Sequence, residues 1–277
     1  MTIFNFFTLL GGIAVFLYGM KVMGDSLEKL AGGKLERLLE RLTSNRFKGV
    51  ALGAGVTAVI QSSSAMTVML VGLVNSGVMQ FSQTVSVIMG SNIGTTLTAW
   101  ITGMSGLEGS GVMEILKPEN FSLVFALVGT VFIMFSKSDK KKNLAEIFLG
   151  FAILIWGMEL MSMAMDPLKE ILEAETAAGG GVVKDILGLF NNPIVGVLVG
   201  AIVTGVIQSS AASVAILQNL AATGAVTYGM AIPIIMGQNI GTCVTAMISS
   251  VGTTKNAKRA AFIHLSFNVL GSVLLLA

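Results

Sequence analysis

The chain has 277 residues, of which 53% are hydrophobic and 12% charged, and its mean hydropathy is +0.83. Soluble domains carry about 25% charged residues, so this composition excludes an ordinary soluble protein and predicts an all-α integral membrane protein. The net charge of +2 is too small to indicate nucleic-acid binding, and the single cysteine and single histidine exclude an intramolecular disulfide and a site built from several histidines.

Six apolar runs are predicted to span the membrane, for which about 20 residues suffice. They lie at 3–23, 80–101, 120–136, 144–165, 228–250 and 259–277. The first run lacks the features of a cleaved leader, so we expect a retained helix. Residues 34–44 alternate apolar and charged positions at helical spacing and predict an amphipathic helix on the membrane surface. The apolar run at 273–276 ends the sequence, and we expect a further segment beyond it.

Two segments between these runs are copies of each other. Residues 49–99 align without a gap to 196–246, with 24 of the 51 positions identical. Gln61-Ser62-Ser63-Ser64 thereby matches Gln208-Ser209-Ser210-Ala211, and the stretch 92–96 matches 239–243. The first runs also match, at an offset of 138, through Gly12 with Gly150 and Gly19 with Gly157. Polar clusters repeated in two apolar halves are typical of transporters built from two structural repeats.

We therefore predict two repeats, 1–137 and 138–277. Each contains a spanning helix, a re-entrant helical hairpin (49–76 and 196–224) and a discontinuous spanning helix (80–101 and 228–250). The small-residue pairs Gly49/Gly53 and Gly196/Gly200 are interpreted as packing positions of the hairpin arms.

The charges of the connectors predict how these segments are oriented. Connectors 24–48, 136–143 and 252–259 hold six, four and three Lys or Arg, whereas 103–119 and 166–192 hold one and two. The positive-inside rule then makes the first group cytoplasmic. All connectors follow the positive-inside rule only if segments 49–76 and 196–224 each enter and leave the membrane at the same face. The two halves then have inverted topology, and the N-terminus is external.

The Gln-Ser-Ser tips are predicted to bind an anion near the membrane midplane. Their serines suit the N-cap of the outgoing helix, whose free N–H groups and positive dipole attract negative charge. No Lys or Arg lies in either tip. The predicted substrate-binding residues are Gln61, Ser62, Ser63, Ser64, Gln208, Ser209 and Ser210.

The Asn-Ile-Gly-Thr stretches are predicted to break their helices and expose oxygens to a cation. Mid-helix Gly weakens a helix, and Asn and Thr compete for backbone hydrogen bonds. Neutral oxygens of this kind suit Na⁺ in discontinuous helices. The predicted sodium ligands are Asn92, Thr95, Thr96, Asn239 and Thr242.

Four further polar residues receive structural interpretations. Cys243 is expected to be a packing residue and His264 to form a helix-to-helix hydrogen bond. Lys21 and Glu159 occupy corresponding positions of the two first helices and are attributed to snorkelling.

Paired QSSS and QSS segments, each followed by an M-G-x-N-I-G-T stretch, and a late A-K-R-A-A-F-x-H-x-x-F-N run resemble the type II sodium–phosphate cotransporter family. The resemblance covers nearly the whole chain. It implies a carrier of inorganic phosphate in the cell inner membrane, with Na⁺ as coupling ion, the Gln-Ser-Ser residues at the substrate site and no other cofactor. A cytoplasmic PhoU-like domain, found in some relatives, is not visible in the sequence.

Alternatives remain open at this point. Hydroxyls and N–H dipoles accept sulfate, arsenate or a carboxylate as readily as phosphate. An intramembrane serine hydrolase would use Ser62 to Ser64 as nucleophile and His264 as base, but one histidine cannot serve two serine clusters. A channel requires a continuous polar lining, which the helices lack. The sequence does not determine whether the protein forms a homo-oligomer. It also does not determine the direction of transport or the stoichiometry of Na⁺ and phosphate.

Overall fold

The computed structural model of the chain describes residues 3–31, 45–103, 118–177 and 181–276, which are helical apart from short turns. The predicted surface helix at 34–44 and most of the connector 103–119 lie outside these ranges. The described helices are α1 (Ile3–Ala31), α2 (Arg46–Ile60), α3 (Ser63–Asn75), α4 (Phe81–Gly103), α5 (Pro118–Phe135), α6 (Asp139–Ala177), α7 (Val182–Gly188), α8 (Pro193–Ile207), α9 (Ser210–Ala222), α10 (Tyr228–Ser249) and α11 (Lys255–Leu276), with a 3₁₀ turn at Leu189–Asn191.

Two helical hairpins occupy the duplicated segments. Helices α2 and α3 have 15 and 13 residues, as do α8 and α9. At 1.5 Å per residue these arms are about 22 and 20 Å long, less than the roughly 30 Å of a bilayer core. No single arm is long enough to cross, which is the property that a re-entrant hairpin requires.

Four described helices are long and apolar enough to cross a membrane. These stretches are Ile3–Ser26, Asp139–Leu168, Tyr228–Ser249 and Lys255–Leu276. Helix α4 has sufficient length at 23 residues, but its many hydroxyl and amide side chains lower its hydropathy. In α5 the apolar stretch Ser122–Phe135 is shorter than a span.

The predicted discontinuity of two spanning helices is wrong. Both α4 and α10 continue through their Asn-Ile-Gly-Thr stretches without interruption. The threonine hydroxyls donate hydrogen bonds to backbone carbonyls one turn earlier in the same helix: Thr95 donates to the carbonyl of Ser91 at 3.0 Å and Thr242 to that of Gln238 at 2.9 Å. Glycine is needed in these stretches for close packing against the neighbouring helix and does not break its own helix. A Cβ on Gly94 would clash with the carbonyl oxygen of Ala54 in α2.

Helix α6 is longer than the predicted span 144–165. It runs for 39 residues and passes through Pro167. Much of the predicted connector 166–192 is therefore helical, since α7 follows in the same region.

The chain divides into two compact units that do not follow the boundary between the sequence repeats. The first contains 1–30, 99–191 and 214–231, and the second contains 31–98, 192–213 and 232–277. Each takes segments from both halves of the sequence. Every predicted substrate and sodium residue belongs to the second unit.

In the first unit, the two equivalent helices α1 and α6 cross through their matched glycines. A Cβ on Gly12 would meet the carbonyl oxygen of Gly157 at 3.0 Å, and one on Gly19 would meet that of Gly150 at 2.7 Å. The order of the contacts makes the two helices antiparallel at the crossing. Close approach through small residues is how helices associate in lipid.

In the second unit, the first arm of each hairpin packs against the helix that follows the hairpin. A Cβ on Gly53 would clash with the carbonyl oxygen of Val87, and one on Gly90 with that of Val50. The contacts shift by 147 residues in the second half, where Gly200 meets Ile234 and Gly237 meets Val197. The predicted packing role of the hairpin glycines is confirmed, with α4 and α10 as partners. The contact order makes α2 parallel to α4, so both helices begin on the same side.

Candidate functional site

Each hairpin turns at a glutamine in the left-handed backbone region. Gln61 has φ of 59° and Gln208 has φ of 55°, and no other non-glycine residue in the described ranges has positive φ. Their backbone N–H groups donate to the carbonyls of Thr57 at 2.8 Å and Thr204 at 2.7 Å, which ends the first arm. A side chain in this conformation costs about 1–3 kcal/mol and is found most often at functional sites.

The serine after each glutamine caps the outgoing arm, as predicted from the sequence. The hydroxyl oxygen of Ser62 accepts the N–H of Ala65 at 3.1 Å, and that of Ser209 accepts the N–H of Ala212 at 3.2 Å. Ser63 and Ser64 lie in the first turn of α3, and Ser210 lies in that of α9. The first N–H groups of a helix have no partner within it, so each tip presents N–H donors and hydroxyls at a positive helix end.

The two glutamine side chains differ in their surroundings. The Gln61 amide is buried, donates to the carbonyl of Ala58 and accepts the Thr98 hydroxyl proton at 2.7 Å. Gln208 is exposed, and the buried hydroxyl of Thr245, which corresponds to Thr98, has no hydrogen-bond partner among the described residues. The glutamine and the threonine are thus hydrogen-bonded to each other in the first repeat and not in the second.

Behind each tip a buried threonine donates to a serine hydroxyl, but the serine occupies a different position in the two repeats. Thr57 donates to the hydroxyl of Ser91 at 2.8 Å, whereas Thr204 donates to that of Ser213 at 2.8 Å. Position 91 is Gln238 in the second repeat, and its side-chain amide donates to the Ser213 carbonyl at 3.0 Å. Sequence reasoning missed these buried pairs, although Thr57 and Thr204 are identical across the repeats.

Among the predicted sodium ligands, only Asn92 joins a polar network. Its amide N–H donates to the Asn268 side-chain oxygen at 3.0 Å. Thr96 donates to the carbonyl of Ile93 at 2.7 Å, within its own helix as Thr95 and Thr242 do. Asn239 is exposed. The structure therefore places one of the two equivalent asparagines in a fixed orientation and leaves the other outside the network.

Asn268 connects α4, α10 and α11 and was missed by sequence reasoning. Its N–H group donates to the Cys243 sulfur at 3.2 Å and to the His264 carbonyl at 3.1 Å. Cys243 is buried, which confirms its packing role, and it also serves as an acceptor. His264 is buried, but the helix-to-helix hydrogen bond expected for it is not formed at Nδ1, which has no partner in the described part of the chain. The sequence signal for Asn268 was its place at the end of the A-K-R-A-A-F-x-H-x-x-F-N run, one helical turn after His264.

Taken together, the tips present neutral donors and the helices beside them present amide and hydroxyl oxygens. The described residues contain no group of three or more His, Cys, Asp or Glu that would hold a metal ion through charged ligands. Helix N-termini of this kind bind phosphate, sulfate and carboxylate groups without a cationic side chain. The chemistry of the site suits a small anion accompanied by a hard cation.

Comparison with known proteins identifies the type of molecule. The family model described as Na⁺/Pi-cotransporter matches residues 15–163 and 164–275. An uncharacterized protein of Bacillus subtilis, YqeW, is 31% identical over 265 residues, covering 95% of this chain and 79% of its own length. A protein of Escherichia coli named as a putative inorganic phosphate export protein, YjbB, is 24% identical over 97% of this chain and 46% of its own.

A mammalian relative matches over a shorter region. The sodium-dependent phosphate transport protein 2A of Rattus norvegicus is 33% identical over 148 residues, which cover 50% of this chain and 23% of that protein. The chain thus spans less than half of these named phosphate transporters. No solved structure matches. Because the family model covers almost the entire chain, the protein belongs to the Na⁺/Pi-cotransporter family, a family of membrane phosphate transporters.

Proposed function

We propose that the protein is a sodium-coupled symporter of inorganic phosphate that works by alternating access around one site. The observation that carries the proposal is the pair of equivalent tips, each with a left-handed glutamine followed by an N-capping serine. Backbone strain repeated at the same position of two repeats is best explained by a shared functional demand. An intramembrane hydrolase does not explain a duplicated tip, and the family is one of transporters.

Phosphate would be bound by the two outgoing helix N-termini and the tip side chains. The proposed residues are Gln61, Ser62, Ser63, Ser64, Gln208, Ser209 and Ser210. Hydroxyls and N–H groups stabilise the anion without fixing it as strongly as a buried arginine would. This moderate binding suits a carrier, because the substrate must be released on the opposite side.

Sodium would be held by neutral oxygens of α4 and α10 near the tips. The proposed ligands are Asn92, Thr95, Thr96, Asn239 and Thr242. Since Asn92 uses its N–H group on Asn268, its amide oxygen is free to bind a cation. The threonine oxygens also retain lone pairs after donating their protons to the helix backbone.

Alternating access would exchange the states of the two glutamines. Gln61 accepts a hydrogen bond from Thr98, whereas the Thr245 hydroxyl has no hydrogen-bond partner among the described residues. In the opposite conformation we expect Gln208 to accept the Thr245 proton and Gln61 to be released. The antiparallel crossing of α1 and α6 supports the inverted topology on which such an exchange depends.

We place the protein in the cell inner membrane with its N-terminus external, on the basis of the connector charges. In a Cys243→Ser background, cysteines introduced at Ser138 and Asn192 test the orientation. A membrane-impermeant thiol reagent added outside intact cells is expected to label the cysteine at 192 and not the one at 138. The reverse pattern would invert the assignment.

The direction of net flux and the identity of the anion are the finer parts of the proposal. One relative is named for export and another for sodium-dependent transport. A symporter reconciles both names, because its flux follows the combined gradients. Sulfate, arsenate or a carboxylate is the alternative substrate, which competition with labelled phosphate distinguishes.

Uptake into proteoliposomes tests the proposal. Labelled phosphate is expected to accumulate with an inward Na⁺ gradient and not with K⁺ or choline. Ser63→Leu and Ser210→Leu should abolish uptake in folded protein, because the added volume fills the tip, whereas Ser82→Leu at the exposed start of α4 should not. Equal uptake without Na⁺ would refute the coupling, and normal uptake by both tip variants would refute the site.

A further inference from the structure

The second compact unit carries charge of only one sign in its described part. Residues 45–98, 192–213 and 232–276 contain no Asp or Glu. Their charged residues are five exposed cations: Arg46, Lys48, Lys255, Lys258 and Arg259. None of these cations forms an ion pair with a described residue. Residues 31–44, which lie outside the described ranges, add three Lys or Arg and two Glu by sequence, so the excess of cations remains.

The packing of the helices places the five cations at one end of this unit. The backbone N–H of Thr254 donates to the Asn75 side-chain oxygen at 2.9 Å, which joins the start of α11 to the end of α3. A Cβ on Gly49 would clash with the Ser86 hydroxyl, so the start of α2 lies beside the start of α4. Because α4 begins soon after α3 ends, all of these helix ends lie together. The five side chains form the cationic end of the unit.

The cations of this end oppose the dipoles of the helices that carry them. Arg46 and Lys48 lie in the first turn of α2, Lys255 and Lys258 lie in that of α11, and neither turn contains an acidic residue. A helix N-terminus carries a partial positive charge, so a cation there is unfavourable. The positive-inside rule accounts for Lys and Arg in connectors, but it requires neither this placement nor the absence of acids. A bound anion removes the repulsion, because the side chains and the helix ends both attract it.

The location of the cationic end favours a lipid headgroup over free phosphate. The stretch Lys255–Leu276 is long and apolar enough to span a membrane, so the cations of its first turn lie at the level of the headgroups. Phe47, between Arg46 and Lys48, is 87% exposed, and apolar side chains beside cations are typical of a membrane interface. The first hairpin tip lies at the other end of α2, about 22 Å away. Charges are screened over about 8 Å at physiological ionic strength, so these cations contribute little to binding at that tip.

We propose that the cationic end binds the phosphate groups of anionic phospholipids. Ammonium and guanidinium groups of α2 and α11 donate to the phosphodiester oxygens, while Phe47 contacts the adjoining acyl chain. A zwitterionic lipid has the same phosphodiester but carries its own cation, so it is held less strongly. This surface is separate from the Gln-Ser-Ser tips, and its existence does not depend on transport.

Native mass spectrometry of the purified full chain in detergent tests the proposal. The chain is titrated with dioleoylphosphatidylglycerol or with dioleoylphosphatidylcholine, which has the same acyl chains. We expect the anionic lipid to bind about tenfold more tightly or better. Equal affinities for the two lipids would overturn the proposal. Millimolar inorganic phosphate should leave the lipid bound, and its displacement would show that free phosphate is the ligand and that the lipid assignment is wrong.

Matched variants locate the binding surface. The first variant replaces the three cations of α11 by glutamine: Lys255→Gln, Lys258→Gln and Arg259→Gln. The control removes the same charge from the start of α6 in the first unit: Lys140→Gln, Lys141→Gln and Lys142→Gln. The α11 variant should bind phosphatidylglycerol at least tenfold more weakly, since each cation near an anionic lipid contributes about fivefold. The α6 variant should retain this binding, because Asp139 occupies the first turn of that helix. Equal losses in both would show an effect of net charge alone and would contradict the proposal.

Two further variants keep the test decisive if the α11 variant does not fold. Arg46→Gln with Lys48→Gln removes the cations of α2 and should also weaken the anionic lipid. Replacing Lys255 and Lys258 by arginine and Arg259 by lysine preserves the charge and should preserve the binding. Unchanged affinity for phosphatidylglycerol in the folded glutamine variants of both helices overturns the lipid site.

Discussion

Gln61 and Gln208 occupy a backbone conformation that glycine adopts without strain. The Gln208 side chain is exposed, so it contributes little to packing. Gln208→Gly should therefore stabilise the protein by about 1 kcal/mol while it lowers phosphate uptake at least tenfold. Thermal unfolding in detergent and proteoliposome uptake measure the two effects. A variant that is stabilised and transports normally would show that the glutamine is not required.

The threonines that correspond across the repeats permit a matched comparison. Thr98→Val removes the hydroxyl that donates to the buried Gln61 oxygen and should destabilise the protein by about 1–3 kcal/mol. Thr245→Val removes a hydroxyl that has no described partner, so it should be neutral or slightly stabilising. Chemical unfolding of both variants checks the difference. Equal destabilisation would contradict the asymmetry between the two repeats.

At the scale of the element, packing of the hairpins depends on glycine where the first arm meets the next helix. No side chain fits at Gly53, because a Cβ would clash with the Val87 carbonyl. Backbone cannot yield as a flexible side chain does, so α2 and α4 would have to separate.

We predict that Gly53→Ala and Gly200→Ala each destabilise the protein by about 3 kcal/mol through overpacking. Gly55→Ala is the control, since a Cβ there has nothing within 4 Å and alanine favours the helix by about 1 kcal/mol. Thermal unfolding in one detergent compares all three. Similar stability of Gly53→Ala and Gly55→Ala would mean that the hairpin arm does not pack against α4 as described.

At the scale of the whole molecule, a symporter has no built-in direction. Proteoliposomes loaded with labelled phosphate and Na⁺ should release phosphate when external Na⁺ is removed, and much more slowly when Na⁺ is equal on both sides. Inside-out and right-side-out orientations should both support net flux down the Na⁺ gradient. Release that is indifferent to Na⁺ would favour an uncoupled exporter, in keeping with the name of the Escherichia coli relative.

The sequence by itself determined the membrane class, the duplication, the two hairpins, the capping serines and the glycines that allow close packing. These features depend on composition and on local backbone chemistry, which a single segment carries. Helix continuity at Asn92 and Asn239 could not be predicted in this way, because it depends on a neighbouring helix that takes up the space beside Gly94 and Gly241. The partners of Gln61 and Asn92 lie 37 and 176 residues away in the chain. Only the tertiary structure decides such pairs, because a repeat specifies equivalent positions but not which of two equivalent bonds is formed in a given conformation.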